Sequence, residues 1–315
     1  MTLVGHEEAW AAWRRAIGGE RMHHAWLLAG RQGLGKATFA HAAARVLLGA
    51  EGEGAHPDIL ELTHAAKDDK EERKRADGKP FEKARSIRIV QVRAMQRRLT
   101  TRPTTGDKRV VIIDPADDLE RSAANALLKS LEEPPHGTYF LLVAHRPARL
   151  LPTIRSRCRV VRFPALPDAV MGSLLDRLAP DADAASRTAA IRAAAGSPGS
   201  ALAFLRMELG KAGTLMQSIL ENGDRGFALR GALAGIIGAR PDRERLQAVL
   251  DLARANLAEH LEMVSHAPEP LIDAHGELVR LTAEQPTYNY DPGLLAMEIG
   301  TLLAQAGAAS AGADG

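Results

Sequence analysis

The chain has 315 residues, enough for two or three domains with a sizeable core. Its 41 basic and 39 acidic side chains leave a net charge of +2, so the chain as a whole is not built to seek polyanions. One cysteine, Cys158, excludes an internal disulfide and fits a reducing cytoplasm. No run approaches the roughly 20 apolar residues of a membrane span, and the opening MTLVGHEEAW has early acids and no apolar core, against a signal peptide. Few aromatics and much alanine and leucine predict a soluble, helix-rich protein of the cytoplasm.

In chain order, residues 6–17 are predicted to form an amphipathic helix with Trp10, Trp13 and Ile17 packed onto the domain. His23 and His24 follow, with no third ligand spaced to complete a metal site. Trp26 to Ala29 reads as a short strand. Gly30-Arg31-Gln32-Gly33-Leu34-Gly35-Lys36 continues from it into a helix from about Ala37 to Leu48. Gly30, Gly33 and Gly35 let successive backbone N–H groups point into one concavity that holds phosphate, with Lys36 as a point charge on the outer phosphates. The position after the lysine normally carries a hydroxyl for magnesium. Here it is Ala37, and Thr38 lies roughly 100° further round the helix.

Gly49 to Gly54 predicts a plain loop. Lys67 to Arg85 is highly charged and aperiodic, and reads as a solvated, partly disordered loop. Between 67 and 109, 15 Lys and Arg stand against 7 Asp and Glu. Arg88, Arg93, Arg97, Arg98, Arg102, Lys108 and Arg109 are candidates for DNA phosphate contacts, and a solvated helix face is the competing account.

Val110 to Ile113 is a buried strand that delivers Asp114 at its C-terminal end. Ser122 is the expected N-cap of a helix with Ala124, Leu127, Leu128 and Leu131 on its apolar face. That helix ends at Glu132-Glu133-Pro134-Pro135. Tyr139 to Ala144 is a further strand, followed by His145, read as a loop histidine. After Ser156-Arg157-Cys158 comes the last strand, Arg159 to Phe163. Pro164 and Pro167 mark a domain boundary. Beyond it the chain reads as helical: 168–205, Thr214 to Glu221, Gly226 to Gly238, Asp242 to Val264 with Asp242 as N-cap, and Glu269 to Gln285. The closing AGAASAGADG has too little bulk to pack and predicts a disordered tail.

HAWLLAGRQGLGK (24–36), HPDI (56–59), IRIVQVR (87–93), NALLKSLEEPP (125–135), ARLLPTIRSRC (148–158) and GSPGSAL (196–202) are the pieces that carry a family resemblance. In them the chain resembles the clamp-loader ATPase group of bacterial DNA polymerase III, at its delta-prime branch. The likeness covers the first two thirds, and the last hundred residues match only as a helical domain of the right length. The resemblance implies an α/β P-loop (AAA+) domain with a parallel sheet over 1–165, a helical lid over 166–208 and an all-α collar over 209–305. Residues 306–315 are left as the tail.

The resemblance also implies roles. Hydrolysing relatives follow the strand aspartate with a glutamate that positions water, where this chain has Pro115. They place an arginine at the turn that here reads Pro198-Gly199. The nucleotide site of Gly30, Gly33, Gly35, Lys36 and Asp114 is therefore read as degenerate, with no cofactor required and residual ATP binding left open. Family members often carry a four-cysteine zinc module near residue 50. This chain has no cysteine there, so neither zinc nor another metal is expected.

On spacing alone Arg157 is one of several surface arginines, beside Arg149, Arg155, Arg159 and Arg162. The family motif makes it an arginine finger that enters a neighbouring subunit's ATP site. The implied partners are the gamma/tau motor subunits, the delta subunit, the sliding clamp and primed DNA, which Arg93, Arg97 and Arg98 would touch. An active AAA+ motor subunit is the alternative, and a stand-alone DNA-binding module a third reading.

Overall fold

Three near-continuous apolar runs, AWLLA, RVVII and TYFLLVA, are what a parallel sheet covered on both faces requires of its central strands. The structure, a computed structural model, describes residues 4–19, 21–52, 54–263, 268–285, 288 and 290–313. It divides into two units, Met1–Ala165 and Leu166–Gly315.

The first unit runs α1 (Glu7–Ile17), β1 (Ala25–Ala29), α2 (Lys36–Leu48), β2 (Ile59–Leu62), α3 (Asp69–Ala76), α4 (Ile89–Leu99), β3 (Arg109–Ile113), α5 (Arg121–Glu132), β4 (Thr138–Ala144), α6 (Pro152–Arg155) and β5 (Arg159–Arg162). The strands form one sheet in the order β2-β3-β4-β1-β5, and every neighbouring pair is parallel. Successive residues of each strand face opposite sides. Leu27, Val111, Ile113, Phe140 and Leu142 pack with Met95 of α4 and Leu127 and Leu131 of α5. Trp26, Leu28, Val110, Ile112 and Leu141 pack with Trp13 of α1 and Phe39 and Ala43 of α2.

Trp13 and Trp26 are core residues with satisfied polar tips, as buried indoles require. Trp13 Nε1 donates to Ala43 O at 3.1 Å, Trp26 Nε1 to His23 O at 2.8 Å, and the two rings meet edge-on at 5.0 Å. His24 Nε2 bonds Leu131 O at 2.8 Å, which ties the entry of β1 to α5. No group of three or more His, Cys, Asp or Glu among the described residues is placed to hold a metal.

Two expectations change here. The stretch Lys67 to Arg85 contains a helix, α3, pinned at its first turn. Asp68 Oδ1 accepts Glu71 N at 3.0 Å, and buried Glu71 accepts Glu82 N at 2.7 Å and Lys74 Nζ at 2.7 Å. Acids fill its first turn and bases its last, which suits the helix dipole. With no apolar stripe, its sequence carries no periodic signal. Ser122, expected as an N-cap, lies inside the first turn of α5. The cap is Glu120, whose N–H donates to Ile87 O at 3.0 Å and whose carboxylate accepts Ser86 Oγ at 2.8 Å.

The second unit is all helix: α7 (Asp168–Leu178), α8 (Ala184–Ala194), α9 (Pro198–Arg206), α10 (Gly210–Asn222), α11 (Ala228–Ile237), α12 (Arg243–Met263), α13 (Glu269–Glu284) and α14 (Pro292–Ala313). Asp242 caps α12, accepting Arg245 N at 2.7 Å, while the expected helix end at Val264 lies outside the described residues. α12 touches α8 and α9 as well as α10 and α14, so the stretches read as lid and collar share one unit.

The expected disordered tail from 306 is corrected as well. Residues 306–313 are the last turns of α14, with Ala306 and Gly307 buried against α10. Residues 314 and 315 lie outside the described residues. Small side chains, read in sequence as too slight to pack, are what allow the two helix backbones to approach. No helix among the described residues is long and apolar enough to cross a membrane.

Candidate functional site

The C-terminal ends of the parallel strands converge on one edge of the sheet, the usual ligand edge of such folds. There β1 runs into Gly30, β3 into Asp114 and β4 into His145. Gly30 N donates to Ala144 O at 3.2 Å and Phe163 N to Ala29 O at 2.8 Å, which stitches the loop between its neighbours. A Cβ at Gly30 would overlap the Phe163 carbonyl, so no other residue fits. Gly35 has φ +80 and opens α2 from the left-handed region that favours glycine.

The glycine loop is thus tightly packed, and Lys36 at its end is turned inward. Lys36 is 2% exposed, and its Nζ donates to Arg31 O, a carbonyl of the loop itself, at 2.5 Å. Burial lowers its pKa to about 8 despite the opposing pull of Asp114 and Asp117. Burial likewise raises the Asp114 carboxyl above its usual range, opposed by Lys36. Ala37 brings no hydroxyl, and the residue after Asp114 is the buried Pro115.

This sets a sign for pH dependence. Lys36 titrates near 8 folded and near its usual 10.5 unfolded, so across that window the unfolded chain binds more protons and stability rises with pH. Lys36→Met should stabilise the protein at pH 7 by on the order of 1–3 kcal/mol. That gain should shrink toward pH 10. Denaturant melts of both forms at the two pH values check it, and a gain that grows with pH would contradict the assignment.

Two residues of this edge went unread in the sequence. Asp117 accepts His145 N at 2.8 Å and Arg146 N at 2.9 Å, fixing the exit of β4. His6, buried ahead of α1, bonds Leu34 O at 2.8 Å and so braces the glycine loop. A carboxylate gripping backbone N–H groups 28 residues away leaves no local pattern. His145 is pushed down to about 4 by burial and by the Lys36 charge, so it is neutral at physiological pH.

Arg157 sits elsewhere. It immediately precedes Cys158 and β5, and β5 is parallel to β1 with Trp26 opposite Arg159 and Ala29 opposite Arg162. Arg157 is therefore at the N-terminal edge of the sheet, a strand length from its own glycine loop, about 10–13 Å at 3.3 Å per residue. Its Nη2 pairs with Glu132 Oε1 at 2.7 Å and its Nη1 donates to Thr153 O at 2.9 Å. Beside it the Cys158 thiol is pushed up to about 12 by burial, which leaves it an inert packing group.

Of the basic candidates, Arg93, Arg97 and Arg98 are exposed on α4, whose Val92, Met95 and Leu99 face the core. Arg109 is withdrawn from that set. It is 4% exposed, its guanidinium donates to the carbonyls of Arg98 (2.5 Å), Thr101 (3.1 Å) and Arg102 (2.8 Å), and it lies 3.5 Å from buried Asp58. A cation holding three carbonyls at the end of α4 is a structural tie. In the second unit, Ser197 caps α9 with Pro198 in its first turn, where relatives were expected to carry an arginine.

A family model described as "DNA polymerase III, delta subunit" matches residues 5–167. The chain is 36% identical to DNA polymerase III subunit delta' of Pseudomonas aeruginosa over 207 residues, 59% of this chain and 58% of that protein. It is 32% identical to DNA polymerase III subunit gamma/tau of Mycobacterium bovis over 228 residues, 64% of this chain and 36% of that one. The matches thus span less than two thirds of either relative. Among solved structures, a DNA polymerase III gamma subunit-related protein from Thermotoga maritima aligns with a TM-score of 0.50 at 17% identity, covering 95% of this chain and 99% of that one. At that identity the likeness concerns the fold alone, an α/β P-loop domain followed by helices.

Proposed function

The chain belongs to the DNA polymerase III delta subunit family, and from that premise we propose that it is a delta-prime-like, non-hydrolysing member of the clamp-loader ring. In this reading its partners are gamma/tau-type motor subunits, the delta subunit, the sliding clamp and primed DNA. It completes a neighbouring motor subunit's ATP site with Arg157. A planar guanidinium stabilises charge that develops on the transferred phosphoryl group and needs no proton transfer to do so.

The observation that carries this is the placement of Arg157. It lies at the opposite end of the strands from its own glycine loop, which supports a role in trans rather than on a phosphate held by that loop. The chain's own site supports the passive half of the reading. Hydrolysis there would need a hydroxyl at Ala37 and a carboxylate at Pro115. Lys36 would have to leave the Arg31 carbonyl to meet a phosphate, so the residual loop can hold nucleotide only by exchanging that bond. The alternative, an active motor subunit, would need these groups, and this chain lacks them. The test is ATP turnover by the isolated chain and by the complex reconstituted with wild type or Arg157→Ala. Robust magnesium-dependent turnover by the isolated chain would overturn the passive reading.

We also propose that Arg93, Arg97 and Arg98 meet DNA phosphates within the ring. All three are exposed on one helix whose other face is buried. Each phosphate that a protein neutralises steepens the fall of log K with log salt by about 0.9. Replacing all three arginines by alanine should therefore make the slope for primed-DNA binding by the assembled complex shallower by about 2–3. An unchanged slope would leave them as a solvated helix face.

A further inference from the structure

We propose that Glu132 is the positioning residue for Arg157, an inference that rests on the trans-acting role given to Arg157 above. Glu132 is the last residue of α5, and Glu133 follows it as the C-cap. The carbonyl end of a helix carries partial negative charge, so a carboxylate there works against local stability. Side chains that break a local rule of this kind cluster where function requires them. Glu132 is also held: its Oε1 forms an ion pair with Arg157 Nη2 at 2.7 Å, with the two side chains 49% and 35% exposed.

The pairing joins distant parts of the chain, the end of α5 and the entry to β5, and fixes one face of the guanidinium. Thr153 O takes Nη1 at 2.9 Å, and Ser156 Oγ lies further from Nη1 at 3.5 Å. A guanidinium has five N–H donors. The ion pair at Nη2 and the bonds from Nη1 orient the plane and leave Nε–H and the Nη2 edge for an incoming phosphate. A long, rotamer-rich side chain so held loses less freedom when it engages an anion. Glu132 touches neither nucleotide nor phosphate in this arrangement. It acts only by setting the direction of Arg157.

The experiment is single-turnover ATP hydrolysis at the completed site, in a complex whose other motor sites have been silenced. It is assembled with wild type, Glu132→Ala, Glu132→Gln, Arg157→Ala or the Glu132→Ala/Arg157→Ala pair. Glu132→Ala should lower the rate constant about tenfold, the scale of a modest misplacement, without moving the ATP concentration for half-maximal rate. Glu132→Gln keeps an oxygen beside Nη2 but loses the charge of the pair, and should give a rate between wild type and Glu132→Ala. In the Arg157→Ala background Glu132→Ala should cost nothing more, because the coupling runs through Arg157.

A wild-type rate for Glu132→Ala beside a slow Arg157→Ala would overturn this proposal and leave the trans-acting arginine standing. A faster rate would overturn it too, since Glu132 would then be competing with the phosphate. An equal loss in both backgrounds would overturn it by assigning Glu132 to assembly or folding. An unchanged Arg157→Ala would remove the reading on which the proposal rests.

Discussion

With the trans-acting role proposed for Arg157, Arg157→Ala is expected to slow hydrolysis about 10³-fold at the neighbouring ATP site, the lower end of what such an arginine contributes. The effect should appear in single-turnover experiments on a complex whose other motor sites are silent, since steady-state turnover would be shared among them. Arg157→Lys should rescue little, because an ammonium keeps the charge but loses the planar fork that meets two phosphate oxygens. The fold should hardly notice either change. The ion pair removed is the half-exposed one with Glu132, and exposed pairs contribute about 0–1 kcal/mol. Melting temperature and assembly therefore serve as controls. Normal single-turnover hydrolysis with Arg157→Ala would dismiss Arg157 as a finger.

The second large effect belongs to a residue that looks dispensable. Gly307→Val should destabilise the helical unit by about 3 kcal/mol, the cost of overpacking a tight contact. A Cβ at Gly307 would overlap the carbonyl of Leu220 in α10, and Leu303 and Ala306 are buried around it. The helices must separate or α14 must peel away. For a unit of this size that destabilisation corresponds to a melting temperature lower by about 6–12 °C. Ala308→Val, on the exposed side of the same turn, should stay within about 0.5 kcal/mol of wild type. A melt of Gly307→Val that matches wild type would mean residues 306–313 carry no packing energy.

That glycine also shows where sequence reading stops. Apolar runs announced β1, β3 and β4, because a strand covered on both faces has no polar positions to hide. The glycine loop and Asp114 were legible for a related reason, since their chemistry is local and ordered along the chain. α14 was misjudged at its end because smallness has two meanings: too little area to bury, or room for a backbone to come close. Only the partner, Leu220, decides between them. α3 was missed because its support comes from a cap, ion pairs and a loop amide on Glu71 rather than from an apolar stripe. Arg109 counted as a surface cation until the carbonyls it holds were in view. At the site, Asp117 and the Glu132–Arg157 pair depend on contacts between distant segments, which composition and spacing do not encode.

The edge strand β5 has a consequence for how copies and relatives of this chain can meet. It is four residues long, one side of it pairs with β1, and its outward residues include Arg159, Val160 and Arg162. Arg159 lies over the Trp26 ring at 4.9 Å, so it is anchored at that edge rather than free to swing aside. A short, arginine-flanked edge is a poor template for another chain's strand. The sheet is thereby closed to extension at β5. A neighbour at that edge would be met by side chains, and a contact of that kind can open and re-form without unzipping a backbone ladder.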